Sequence, residues 1–131
     1  MEEKIDAEDV GIQCTIWLKS ANEEKWKGCL VLADGELTRA GKLLYENYKT
    51  LNDVKNLIEK RVIWSVKKSA DGINKEDGEF FSECGDSLMK MQAKERGDYC
   101  YIFDEKTNMW YFGVKMKQRL ADLLKFIFRN Q

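Results

Sequence analysis

GKLLYENYKTLNDVKNLIEKRVIWSV, residues Gly41 to Val66, decides the fold, because its apolar period changes partway through. Ala40, Leu43, Leu44, Asn47 and Tyr48 recur at three- and four-residue steps, the spacing of one helix face. Thr38 is the expected cap of that helix. Gly41 would cost a helix about 1 kcal/mol relative to alanine, so it marks either a close backbone approach or a late start. Thr50-x-x-Asp53 is a weak capping box that opens a second helix with Leu51, Val54, Leu57 and Ile58 on one side. The β-rich run Val62 to Val66 then predicts a strand.

The second informative stretch is GDYCYIFDEKTNMWYF, Gly97 to Phe112. Tyr99 to Phe103 and Met109 to Val114 form a hairpin around Asp104 to Asn108, and apolar residues on both its faces imply a doubly covered position. The aromatics Tyr99, Tyr101, Phe103, Trp110, Tyr111 and Phe112 read as core. A base-stacking platform interleaves its rings with cations, whereas this hairpin has only Lys106, beside Asp104 and Glu105. Nucleic acid is therefore not an expected partner.

Working outward, Ile12, Cys14, Ile16 and Leu18 alternate with Gln13, Thr15, Trp17 and Lys19, which predicts a strand. Ser20 to Lys25 is its turn, and Trp26 to Leu32 returns as a second strand ended by Ala33-Asp34-Gly35. Lys67 to Glu79 reads as a mobile loop. Asp86 to Arg96 reads as a short helix stopped by Gly97. Gln118 to Phe128 reads as a terminal helix with Leu120, Leu123, Leu124 and Ile127 facing inward, flanked by Phe126 and Phe128. Residues 1–10 read as a flexible acidic lead. The expectation is one α+β domain over residues 11–131: an antiparallel sheet of about four or five strands, two hairpins plus the Val62 strand, packed against three or four helices.

Composition narrows the chemistry. The chain is 44% hydrophobic and 34% charged, ordinary for a soluble domain, and no apolar run approaches the roughly 20 residues of a membrane span. The start MEEKIDAEDV lacks the basic and apolar parts of a signal peptide, so a cytoplasmic location is expected. A net charge of −1 exerts no global pull on nucleic acid or anionic lipid. The ends differ: Glu2, Glu3, Asp6, Glu8 and Asp9 against Lys4 give −4, and Lys115, Lys117, Arg119, Lys125 and Arg129 against Asp122 give +4.

The chain has no histidine, which excludes Ser-His and Cys-His nucleophile pairs and every Cys/His zinc site. Cys14, Cys29, Cys84 and Cys100 lack any close pair, so they read as reduced core fillers. The expected protein holds no metal and no cofactor. Asp34-Gly35-Glu36 and Asp77-Gly78-Glu79 pair carboxylates, but in sequences that make ordinary turns. No catalytic residue is assigned. Two binding surfaces are. Phe126 lies off the inward stripe of the last helix among Arg119, Lys125 and Arg129, the composition of a protein interface. Lys60, Arg61, Lys67 and Lys68 bracket the Val62 strand as a rim for an anion.

The spacing of Asp34-Gly35, Gly41-x-Leu43-Leu44, Tyr48, Thr50, Val54 and Leu57-Ile58, followed by Tyr99-Cys100-Tyr101-Ile102-Phe103 and Trp110-Tyr111, resembles a group of small, mostly uncharacterised phage and prophage proteins. The resemblance covers Leu32 to Phe112. It departs around Asp34-Gly35, where Leu32-Ala33 replaces an expected His-Trp and Glu36-Leu37 an expected Tyr-Pro. It implies a non-catalytic accessory protein of the host cytoplasm that binds and blocks a host component as a counter-defence inhibitor, its partner a host protein or a second copy of itself. The alternative is a binding module that sequesters a small anionic ligand such as a signalling nucleotide.

Overall fold

The computed structural model describes residues 12–73, 81–83, 99–113 and 116–129. The acidic lead 1–10, the expected helix over Asp86 to Arg96 and residues 74–79 of the expected loop lie outside them, as do Asp77 and Glu79. The first expected hairpin forms: β1 (Cys14–Lys19) and β2 (Trp26–Val31) pair antiparallel with Ile16 opposite Cys29. So does the aromatic one, where β5 (Tyr99–Asp104) pairs with β6 (Met109–Phe112) and Phe103 faces Trp110.

The sheet is mixed, which corrects the antiparallel expectation. Its strand order is β3-β2-β1-β5-β6-β7, with β3 (Val62–Ile63) at one edge and β7 (Gln118–Arg119) at the other. β1 and β5 are parallel, and so are β2 and β3. A three-residue β4 (Phe81–Glu83) pairs antiparallel with Trp26 to Gly28, so β3 and β4 occupy different ends of β2. Antiparallel pairing follows from a short turn, and it holds for both hairpins. Between β2 and β3 the chain instead makes a long helical crossover, which returns it in the same direction.

That crossover starts with a π-turn over Leu37–Gly41, then α1 (Lys42–Asn47) and α2 (Leu51–Ile58). Thr38 does not cap it; Glu36, extended, precedes the turn, and the Gly41 amide bonds back to the Glu36 carbonyl at 3.3 Å. The wide turn lets Gly41 lie against Tyr101, where an added Cβ would come within 3.3 Å of the ring. Thr50 does cap α2, its hydroxyl accepting from the Asp53 amide at 3.1 Å. The Val62 strand is shorter than expected: after Ile63 the chain bends at Trp64, 48% exposed, although Ala33 still donates to the Trp64 carbonyl at 2.8 Å. α3 (Leu120–Arg129) begins two residues late because Gln118 and Arg119 pair with Phe112 and Tyr111 as β7.

Alternation along β1 and β5 sends side chains to two covered faces. On the helical face Cys14, Ile16, Tyr101 and Phe103 meet Leu44, Tyr48, Val54, Leu57, Leu120 and Leu124 in the main core. On the other face Trp17, Trp26, Cys100 and Ile102 form a smaller cluster with Met116. Among the described residues no helix is long and apolar enough to cross a membrane.

Candidate functional site

α3 presents the clearest surface feature. Leu120 and Leu124 are buried, with Leu123 and Ile127 partly so, and this stripe fixes which side faces solvent. Phe126 is 67% exposed, the most open of the large apolar side chains described. Lys125 and Arg129 are exposed beside it, and Phe126 and Arg129, three residues apart, are surface neighbours. Arg119 is not on this helix face. It sits in β7 at the foot of α3, where its Nε donates to Asp122 Oδ2 at 3.0 Å. Phe128 turns toward α1, and the Lys42 ammonium lies 5.4 Å from its ring centroid. The structure thus places Phe126, Lys125 and Arg129 on the exposed part of α3 and Arg119 on β7.

The four residues of the expected anion rim flank β3. Lys60 and Arg61 precede β3, whereas Lys67 and Lys68 follow the bend after it. Arg61 adopts φ 70°, the left-handed stop of α2, with its amide bonded to the Ile58 carbonyl and its carbonyl accepting from Leu30 at 2.8 Å. Glycine usually fills that position, so an arginine there carries no local sign of it. The Lys67 carbonyl accepts the Tyr48 hydroxyl at 2.6 Å. Lys68 borders a small polar recess of about 100 Å³ that Asp53 and Asp71 also line, so the local field there favours a cation over an anion.

Two larger concavities flank the helical layer. One of about 400 Å³ lies by the β1–β2 turn, where Lys27 and Lys55 alternate with Glu23, Glu59 and Glu105. Its charges oppose one another, and one Glu105 oxygen already accepts the Ala21 amide at 2.8 Å. The other, about 290 Å³, opens where the end of α1, the β5–β6 hairpin and the start of α3 meet. Phe103 and Trp110 floor it, packed edge to face with centroids 5.3 Å apart. Tyr45 and Met109 wall it, and Lys49 and Arg119 supply charge. Only Arg119 of the expected interface residues, and none of those expected to form an anion site, lines this groove. Its signal was Tyr45 and Lys49, an i, i+4 pair standing off the Leu44–Tyr48 stripe, with Lys49 Nζ now 5.9 Å from the Tyr45 ring centroid.

The groups with displaced pKa values are structural. Burial pushes the thiols of Cys29 and Cys100 up to about 12, and burial, with help from the neighbouring Cys29, also raises Cys14 well above the usual thiol range. Burial likewise lifts Tyr48 to about 12 and Tyr101 beyond it. An activated nucleophile is displaced the other way. The Asp34-Gly35-Glu36 turn also has a structural reason: a Cβ at Gly35 would fall 2.7 Å from Cys14 Cβ, and the Gly35 carbonyl accepts the Tyr101 hydroxyl at 2.7 Å. Asp34 pairs with Arg39 at 3.8 Å. Among the described residues no three His, Cys, Asp or Glu side chains converge as a metal site.

Comparison with protein-family models, with curated proteins and with solved structures finds no match. The functional reading therefore rests on the geometry of this chain.

Proposed function

We propose that this protein is a non-catalytic binding protein that docks α3 onto an acidic partner and, as the resemblance to phage and prophage proteins implies, blocks a host component. The observation that carries the reading is the exposure of Phe126 with Lys125 and Arg129 along one side of it: an open aromatic bordered by cations is the composition of an interface centre. The stripe of Leu120 and Leu124 holds the helix in place, so docking needs no refolding of α3. A chain without histidine, whose buried thiols hold their protons, favours stoichiometric binding over turnover.

The test is capture from a bacterial lysate on immobilised protein, followed by reconstitution with the purified partner. A stoichiometric complex is expected, and Phe126→Ala should weaken it by about 2 kcal/mol at an unchanged melting temperature. A Phe126→Ala protein that binds equally well removes α3 from the interface. Sedimentation showing that the same surface joins two copies of this chain would replace the host partner with self-association.

A further inference from the structure

We infer that the groove between α1, the β5–β6 hairpin and the start of α3 is a binding site for a small organic anion built on one aromatic ring, an aryl carboxylate or aryl phosphate. This site is separate from the exposed Phe126 face and uses none of the Lys60, Arg61, Lys67 and Lys68 group. Three observations converge on the ligand.

The first is the floor and walls. Phe103 and Trp110 are buried with their rings fixed edge to face, and Trp110 is held further by its indole N–H, which donates to the Tyr48 carbonyl at 2.8 Å. Tyr45 and Met109 remain 43% and 40% exposed above them. A flat apolar body would cover side chains that now meet water. Stacking and thioether contacts both suit a ring there.

The second is charge. The charged side chains that line the groove among the described residues, Lys49 and Arg119, are both basic, and they come from segments far apart in the sequence, just after α1 and in β7. Arg119 is positioned by β7 pairing with Tyr111 and by its bond to Asp122, which uses one of the five guanidinium N–H donors. Ala121, in the first turn of α3, also lines the groove, so the positive end of that helix adds to the same field, offset in part by Asp122 in that turn. An anion that meets two cations and a helix start gains more than either contact alone supplies.

The third is size. A volume of about 290 Å³ accommodates a single ring with its acidic head and excludes a helix or strand of a partner. The occupant is accordingly a free small molecule.

The test is titration of the intact, isotope-labelled chain with phenyl phosphate and with benzoate, followed by amide and indole resonances. Saturable shifts are expected at Asn108, Met109, Ala121 and the Trp110 indole, with inorganic phosphate and phenol each at least about tenfold weaker because each lacks half of the recognition. Lys49→Gln, which alters no strand, and Arg119→Gln should each weaken phenyl phosphate about fivefold or more at an unchanged melting temperature. The inference is overturned if neither aryl anion saturates these resonances, if phenol binds as well as phenyl phosphate, or if Lys49→Gln binds unchanged. A blocked phosphotyrosine peptide that binds at least about tenfold tighter than phenyl phosphate would also overturn it, reassigning the groove to a protein segment.

Discussion

At the scale of single residues, three buried aromatic side chains link distant segments through their polar ends. Tyr101 donates to Gly35, Trp110 to Tyr48, and Tyr48 to Lys67, all at 2.8 Å or less. Truncating Tyr101 to Ala should destabilise the protein by about 3 to 5 kcal/mol, whereas Tyr101→Phe, which only orphans the Gly35 carbonyl, should cost about 1 to 3 kcal/mol by urea denaturation. Equal losses would mean that the hydroxyl bond, not packing, dominates. The buried thiols contribute to the loss of stability in alkaline solution. Unfolded, Cys29 and Cys100 ionise near 9; folded, they hold their protons to about 12. Their contribution is therefore complete below about pH 9 and is lost as pH rises toward 12, at up to about 1.4 kcal/mol per thiol per pH unit. Urea midpoints measured at pH 8, 9 and 10 should fall accordingly, and Cys29→Ala should reduce the slope. A flat profile would place these thiols in water. The core role of Tyr101 and Trp110 was legible in the sequence, since a hairpin apolar on both faces has few other fates. The positions of their hydroxyl and indole partners were not, because those depend on carbonyls more than sixty residues away.

At the scale of elements, local signals worked where the cause was local. The Thr50 cap, the Leu51–Ile58 stripe and both hairpins are written in short-range spacing, and all form. The parallel joints of β1 with β5 and β2 with β3, the π-turn before α1 and the left-handed stop at Arg61 are set by distant contacts, and none has a short-range signature. Gly28 illustrates the difference. It stands opposite Trp17 in the β1–β2 pair, and a Cβ there would come within 2.6 Å of the indole ring. Trp17 is fully buried in the second cluster, flanked by Trp26, Cys100 and Ile102, so the ring cannot move aside without opening that packing. Gly28→Ala should thus destabilise by about 1 to 3 kcal/mol as an overpacking change. Gly72, with open space around its added Cβ, is the matched control and should change stability by less than about 1 kcal/mol. Similar melting temperatures for the two variants would show that Trp17 repacks freely.

At the scale of the whole molecule, the two candidate surfaces divide the work of α3. Its inward stripe belongs to the core, its start borders the cationic groove, and its outer face carries Phe126. The outer face could be read from helical periodicity, which depends on nearby residues alone. The groove could not, because its two cations meet only once α1 and α3 pack in opposite directions, as the Lys42–Phe128 contact at one end and the shared lining of Tyr45 and Ala121 at the other require. With a net charge of −1 the molecule has no long-range attraction for an acidic partner, so steering toward the outer face of α3 comes from local cations, Lys125 and Arg129 among them. Asp122, the acid on the same helix, is already engaged by Arg119 and weakens that field little. At 0.1 M salt the screening length is about 10 Å, so these two charges act on encounter rather than on the desolvated anchor. In a reconstituted complex, Lys125→Gln with Arg129→Gln should therefore lower the association rate several-fold, by about 3- to 10-fold, and flatten its salt dependence while leaving dissociation almost unchanged. Phe126→Ala should do the reverse and raise the dissociation rate. If the charge variant instead speeds dissociation while association keeps its salt slope, the basic residues are buried in the contact, and the interface centre lies on them rather than on Phe126.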